Sequence, residues 1–141
     1  MILYLDTSAL VKRYFRESYS DEVIFQWERA TEIVISSVAY AETLAAFYRK
    51  KRETGLKKEI VRKLIDGFRL DWKSFIRVEV NQGLDDYLDR VLEKYPMRGF
   101  DAIHLASAVL VQERLKERIL FVCFDEILLK AARGEGFNTF P

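Results

Sequence analysis

Apolar residues along this chain are arranged in two ways: short unbroken runs, and longer stretches with apolar positions three and four apart. Ile2-Leu3-Tyr4-Leu5, Ile33-Val34-Ile35 and Ile119-Leu120-Phe121-Val122 are runs without polar alternation, the pattern of parallel strands buried on both faces. Phe75-Ile76-Arg77-Val78 reads as a further strand, and Phe137–Phe140 as a last one at a sheet edge. Between them the spacing predicts helices over Ala9–Arg16 and Ser20–Ala30, and from Val38, with Ser36 or Ser37 as its cap, to about Glu53, where Gly55 ends it. Further helices are predicted from Lys57 towards Asp71, with Ile60, Leu64, Ile65 and Phe68 on one face, from about Gly83 to Lys94, from about Asp101 to Leu115, and over Glu126–Arg133. Strands alternating with helices predict a three-layer α/β/α sandwich around a central, mainly parallel sheet of four or five strands, one domain over residues 1–141.

Four acids interrupt this pattern where apolar residues are expected. Asp6 follows the first strand directly, and Asp125 follows Ile119–Val122 after Cys123 and Phe124. Ligands collect at such strand ends. Glu42 shares a helical face with Val38, Ala39, Ala45 and Ala46, and Asp101 shares one with His104, Leu105 and Ala108. Asp6, Asp101 and Asp125 each also suit a helix N-cap. Glu42 does not, and burying an unpaired carboxylate is costly, so it needs a cation, donors or a proton. Four carboxylates converging on a sheet edge suit a hard divalent ion, Mg²⁺ or Mn²⁺, bound through oxygen. Zinc is disfavoured, because Cys123 and His104 are the only residues of their types and no zinc-ligand spacing exists. His104 reads as a helix residue satisfied in the core, outside the site. No nucleophile elbow, Walker loop or G-x-G-x-x-G is present.

Composition narrows the picture further. The 141 residues are 50% hydrophobic and 32% charged, as in a globular domain able to bury its own core. Lys and Arg total 23 against 22 for Asp and Glu, so a nucleic-acid surface has to be a local basic patch. A single cysteine, the lack of a visible N-terminal signal and the lack of a long apolar stretch predict a soluble cytoplasmic protein with no membrane association.

The ordered set Asp6-Thr7-Ser8-Ala9-Leu10-Val11-Lys12, Ala41-Glu42, Phe100-Asp101-Ala102-Ile103-His104-Leu105-Ala106-Ser107-Ala108 and Phe124-Asp125-Glu126-Ile127-Leu128 resembles the PIN domains, in particular the VapC-type toxins of toxin–antitoxin pairs. The resemblance covers essentially the whole chain. Cys123 departs from it, standing where a small hydroxyl residue is more usual. The resemblance implies an Mg²⁺- or Mn²⁺-dependent endoribonuclease with Asp6, Glu42, Asp101 and Asp125 as both catalytic residues and metal ligands, and Ser8 as an orienting neighbour. It also implies an RNA substrate, a small antitoxin partner and a homodimer. Lys12, Arg13 and Arg98 are the candidate RNA contacts, chosen for nearness to Asp6 and Asp101. The basic run Arg49–Arg52 with Lys57-Lys58 reads as a solvated helix end. Two alternatives share the fold: an RNA-processing nuclease without an antitoxin, and a non-catalytic binding module with a degraded acidic site.

Overall fold

The computed structural model describes residues 1–141. Its centre is a five-stranded sheet of β1 (Ile2–Leu5), β2 (Glu32–Ser36), β3 (Ile76–Val78), β4 (Ile119–Val122) and β5 (Asn138–Phe140). The order across the sheet is β3-β2-β1-β4-β5, and every neighbouring pair is parallel. Leu3 lies between Ile33 and Leu120 in register. The first strand is therefore central, which is why all four of its residues are buried.

Strand alternation divides the interior into two cores. Ile2, Tyr4 and Phe121 face α5 (Asp85–Lys94), α6 (Gly99–Leu115) and α7 (Glu126–Gly134). Leu3, Leu5 and Ile35 face α1 (Thr7–Leu10), α2 (Ser20–Arg29), α3 (Val38–Thr54) and α4 (Lys58–Trp72). Helix α6 is apolar nearly all round, as its burial against sheet and neighbouring helices requires. The other core is aromatic, with Phe47 and Phe68 meeting edge to face at 5.8 Å and Tyr14 set against both. No helix is long and apolar enough to cross a membrane.

The elements match the pattern-based reading in order and kind, and differ at their starts. The first helix begins at Thr7, because Asp6 caps it, and tightens into a 3₁₀ turn over Val11–Arg13. Val38 N–H donates to Ser36 Oγ at 3.3 Å, while Ser37 makes no cap bond. Gln82–Leu84 is a 3₁₀ turn, braced by Gly83 N–H donating to Asn81 Oδ1, so α5 begins only at Asp85. The sixth helix starts at Gly99, with Arg98 as its extended N-cap residue. Asp101 thus sits inside the first turn rather than before it.

Gly55 closes α3 in the left-handed conformation at φ +67°, with open space where a Cβ would lie. Only the backbone resists a side chain there, so Gly55→Ala is expected to cost about 1 kcal/mol in urea denaturation.

Candidate active site

The strand order reverses direction between β1 and β4: the chain leaves β1 towards β2 and β3, then returns to the other side of β1. Loops diverging from the carboxyl ends of such a pair leave a crevice where α/β folds bind ligands. Asp6 and Asp125 stand at that crevice. The sheet pairing runs up to it, with Asp6 N–H donating to Val122 O at 3.2 Å. Ser8 ties the two loops together, donating through Oγ to Asp6 Oδ1 at 2.7 Å and accepting from Phe124 N–H at 3.0 Å.

Helices α3 and α6 supply the walls. The resulting cleft, about 480 Å³, is lined by all four acids, Asp6, Glu42, Asp101 and Asp125. Thr7, Ser8, Arg49, Arg98 and His104 join them, and Ala45 and Ala46 leave the space open. Positions 42, 45, 46 and 49 share one helical face, which brings Arg49 to the cleft from a stretch read as a solvated helix end.

Three of the four acids are partly used by the fold and partly free. Asp6 Oδ1 accepts from Ala9 N–H at 3.0 Å, and Asp125 Oδ1 accepts from Leu128 N–H at 2.9 Å, so both are indeed helix caps. Glu42 Oε1 accepts from Thr7 Oγ1 at 2.6 Å and is 2.9 Å from His104 Nε2. In each case the second carboxylate oxygen makes no hydrogen bond. Asp101 makes none at all and pairs only loosely with Arg98, at 3.7 Å.

Electrostatics record the crowding. Burial pushes the Asp6 carboxyl up to about 6, with the charge of Asp101 adding to the rise and His104 and Ser8 opposing it. Burial also raises Asp101, and the neighbouring Asp125 raises it further. Burial would raise Glu42 as well, but the bonds from His104 and Thr7 prevail and hold it below its ordinary value. Burial pushes the Cys123 thiol up, so it remains a neutral core group.

His104 is buried with both ring nitrogens partnered, as the sequence reading has it, but it also lines the cleft, which that reading placed it outside. It lies three residues after Asp101 on the same helical face, and that spacing was the available signal. Its Nδ1 is 3.1 Å from the buried Tyr4 hydroxyl. Burial raises the Tyr4 phenol, which keeps its proton and shares a hydrogen bond with the ring. On its other side the ring places Nε2 2.9 Å from Glu42 Oε1 and donates to it, since a carboxylate only accepts. Replacing His104 with Ala takes a partner from the Tyr4 hydroxyl and leaves Glu42 held by Thr7 alone, and about a tenfold loss of any metal-dependent activity is expected, checked by metal titration of the variant.

Of the basic candidates, Arg98 lines the cleft. Lys12 and Arg13 do not, because the 3₁₀ turn carries them elsewhere. Lys12 pairs with Glu17 at 3.2 Å and lies over the Phe124 ring, and Arg13 lies over Trp27 of α2.

Residues 3–134 match the family model described as PIN domain. The chain belongs to the PIN domain family. Ribonuclease VapC45 of Mycobacterium tuberculosis is 31% identical over 144 residues, covering 99% of this chain and 95% of the relative. Among solved structures, VapBC2 from Rickettsia felis, solved bound to a DNA fragment from their promoter, superposes with a TM-score of 0.67 at 16% identity, covering 99% and 98% of the two chains. VapC20 of M. tuberculosis, described as a sarcin-ricin loop cleaving toxin, gives 0.62 at 16% identity, covering 92% and 94%. These PIN-fold neighbours share the three-layer parallel architecture of this chain.

The acids lining the cleft offer carboxylate oxygens, the donor type that a hard divalent ion takes. All four acids present an oxygen free of hydrogen bonds, and none of the cleft's donors is a thiolate. No group of three or more His, Cys, Asp or Glu side chains forms a metal-holding cluster. Mg²⁺ commonly rests on one or two carboxylates and completes its shell with water and substrate phosphate.

Proposed function

We propose that this PIN-domain protein is a metal-dependent endoribonuclease acting as the toxin of a toxin–antitoxin pair. The observation that carries this reading is the convergence of Asp6, Glu42, Asp101 and Asp125 on one cleft at the β1/β4 crevice, each with an oxygen to spare. A relative named as a ribonuclease, 31% identical across nearly the whole chain, supports RNA as the substrate.

Asp6 and Asp101 are assigned as the most direct ligands of Mg²⁺ or Mn²⁺, with Glu42 and Asp125 holding bound waters or orienting the attacking one. The ion, when bound, polarises a phosphoryl oxygen and lowers the pKa of a water. The chain's own groups do the rest. Arg98 and Arg49 flank the acids and draw the RNA phosphate into a cleft that would otherwise repel it. His104 and Thr7 fix the Glu42 carboxylate in one orientation, and Ser8 does the same for Asp6.

The test is cleavage of an end-labelled RNA pool. Cleavage in Mg²⁺ is expected to stop on adding EDTA and to return with excess Mg²⁺ or Mn²⁺. Persistent cleavage in EDTA would remove the metal from the reading, and no cleavage under any condition would leave a binding module. Expression of the chain alone is expected to arrest growth, with relief by a co-expressed cognate antitoxin. Intact ribonuclease activity without arrest would instead favour an RNA-processing role.

A further inference from the structure

Beside the acidic cleft lies a second groove, about 640 Å³, between α5 and α6. Its walls are apolar: Leu88 and Leu92 from α5, and Phe100 and Ile103 from α6. Two of these are left unusually open, with Phe100 59% and Leu92 45% exposed. The groove is continuous with the acidic cleft, because Glu42, Arg98 and Asp101 border both. At that shared rim the Arg98 side chain is 86% exposed.

We propose that this groove is a nucleobase subsite, in which Phe100 stacks an unpaired base of the RNA strand next to the scissile phosphate. The inference rests on the ribonuclease reading and adds the recognition element that reading lacks. Asp101 borders both the cleft and this groove, so a phosphodiester held at Asp101 has the groove beside it to receive a flanking nucleoside. The groove's chemistry is that of a nucleotide in mirror image. A flat aromatic and two leucines suit the faces of a base, and the exposed Arg98 guanidinium at the rim suits the adjoining phosphate. A base in a duplex has no free face to offer, so the subsite selects single-stranded or looped RNA. Stacking of this kind tolerates any base, so the groove sets strandedness more than sequence.

The experiment has a binding arm and a turnover arm. In the first, the Asp6→Asn chain, which is expected not to cut, is mixed with short single-stranded RNAs carrying 2-aminopurine at one position at a time. Quenching is expected at one position and is lost when Phe100→Ala is added, whereas Phe100→Tyr keeps it. In the second arm, Phe100→Ala on the otherwise unaltered chain is expected to raise KM about tenfold with kcat within about twofold, as for loss of uniform binding. The effect should vanish on an RNA made abasic at the quenched position.

Equal KM values for the Phe100→Ala and unaltered chains, or quenching unchanged by Phe100→Ala, would overturn the subsite while leaving the nuclease intact. Sedimentation separates the competing occupant. If Phe100→Ala and Leu92→Ser convert a dimer to a monomer, and activity falls alike on intact and abasic RNA, the groove is covered by a second copy and the subsite is wrong. Position-specific quenching in a chain that never cleaves RNA would retain the subsite and remove the ribonuclease reading.

Discussion

Asp101→Asn is expected to lower RNA cleavage by at least about a hundredfold while leaving the protein folded. Loss of groups that merely orient metal ligands already costs about ten- to a hundredfold, and Asp101 is assigned as a ligand itself. It is also the acid the fold uses least. It accepts no hydrogen bond, its Arg98 partner is 3.7 Å away, and the helix it sits on is begun by Arg98 rather than by its own side chain. Burial and Asp125 both disfavour its charge, so the amide relieves repulsion and a lower melting temperature is not expected. Parallel cleavage assays and thermal melts check the pair of outcomes. Full activity in the folded variant would mean that the acids serve the fold and that the chemistry lies elsewhere.

The second large effect is on stability. Asp6 is 5% exposed, and its carboxyl is raised from 3.8 to about 6 in the folded state. A group whose folded pKa is raised binds more protons folded than unfolded, so stability should fall as pH rises from about 4 to about 6. Well above that window the ionised, buried Asp6 costs about 3 kcal/mol relative to its protonated form. Asp101 acts in the same direction. Glu42, held low, acts in the opposite one and loses its contribution as pH falls. Asp6→Asn isolates the first term, because the amide oxygen can still accept from Ala9 N–H. Urea denaturation of both proteins across this pH range should give a variant more stable than the native chain above about pH 7, with the difference closing towards about pH 4. Added Mn²⁺ should stabilise the native chain at the high end and do little for the variant. Identical pH profiles would show that Asp6 is not the strained acid this geometry makes it.

These two expectations have one origin. A carboxylate that is uncomfortable without a cation is what a metal site looks like from the side of stability, and relieving it should trade function for robustness. Asp6 and Asp125 also show that capping a helix leaves a carboxylate oxygen over. A carboxylate has two oxygens; the helix takes one from each, and the other is left at the cleft.

Much of this was legible locally. The unbroken run Ile2–Leu5 announced a strand buried on both faces, and Glu42 among Val38, Ala39, Ala45 and Ala46 announced a carboxylate turned away from bulk water. Both signals are periodicities, which depend only on backbone repeat and side-chain type. What periodicity cannot state is which face meets which. His104 looked like a core histidine because its helical face is apolar, and it became a site residue only because α6 packs opposite Glu42 of α3. Arg49 is exposed, as its solvated reading has it, yet α3 also sets it at the crevice, and Lys12 and Arg13, close to Asp6 in sequence, are carried off by a turn that tightens to 3₁₀. The sequence alone therefore determined the elements, their order and the four acids. The placement of β4 beside β1, and with it the cleft and its cations, was decided by long-range packing, because strand order depends on how two separate apolar layers close over one sheet.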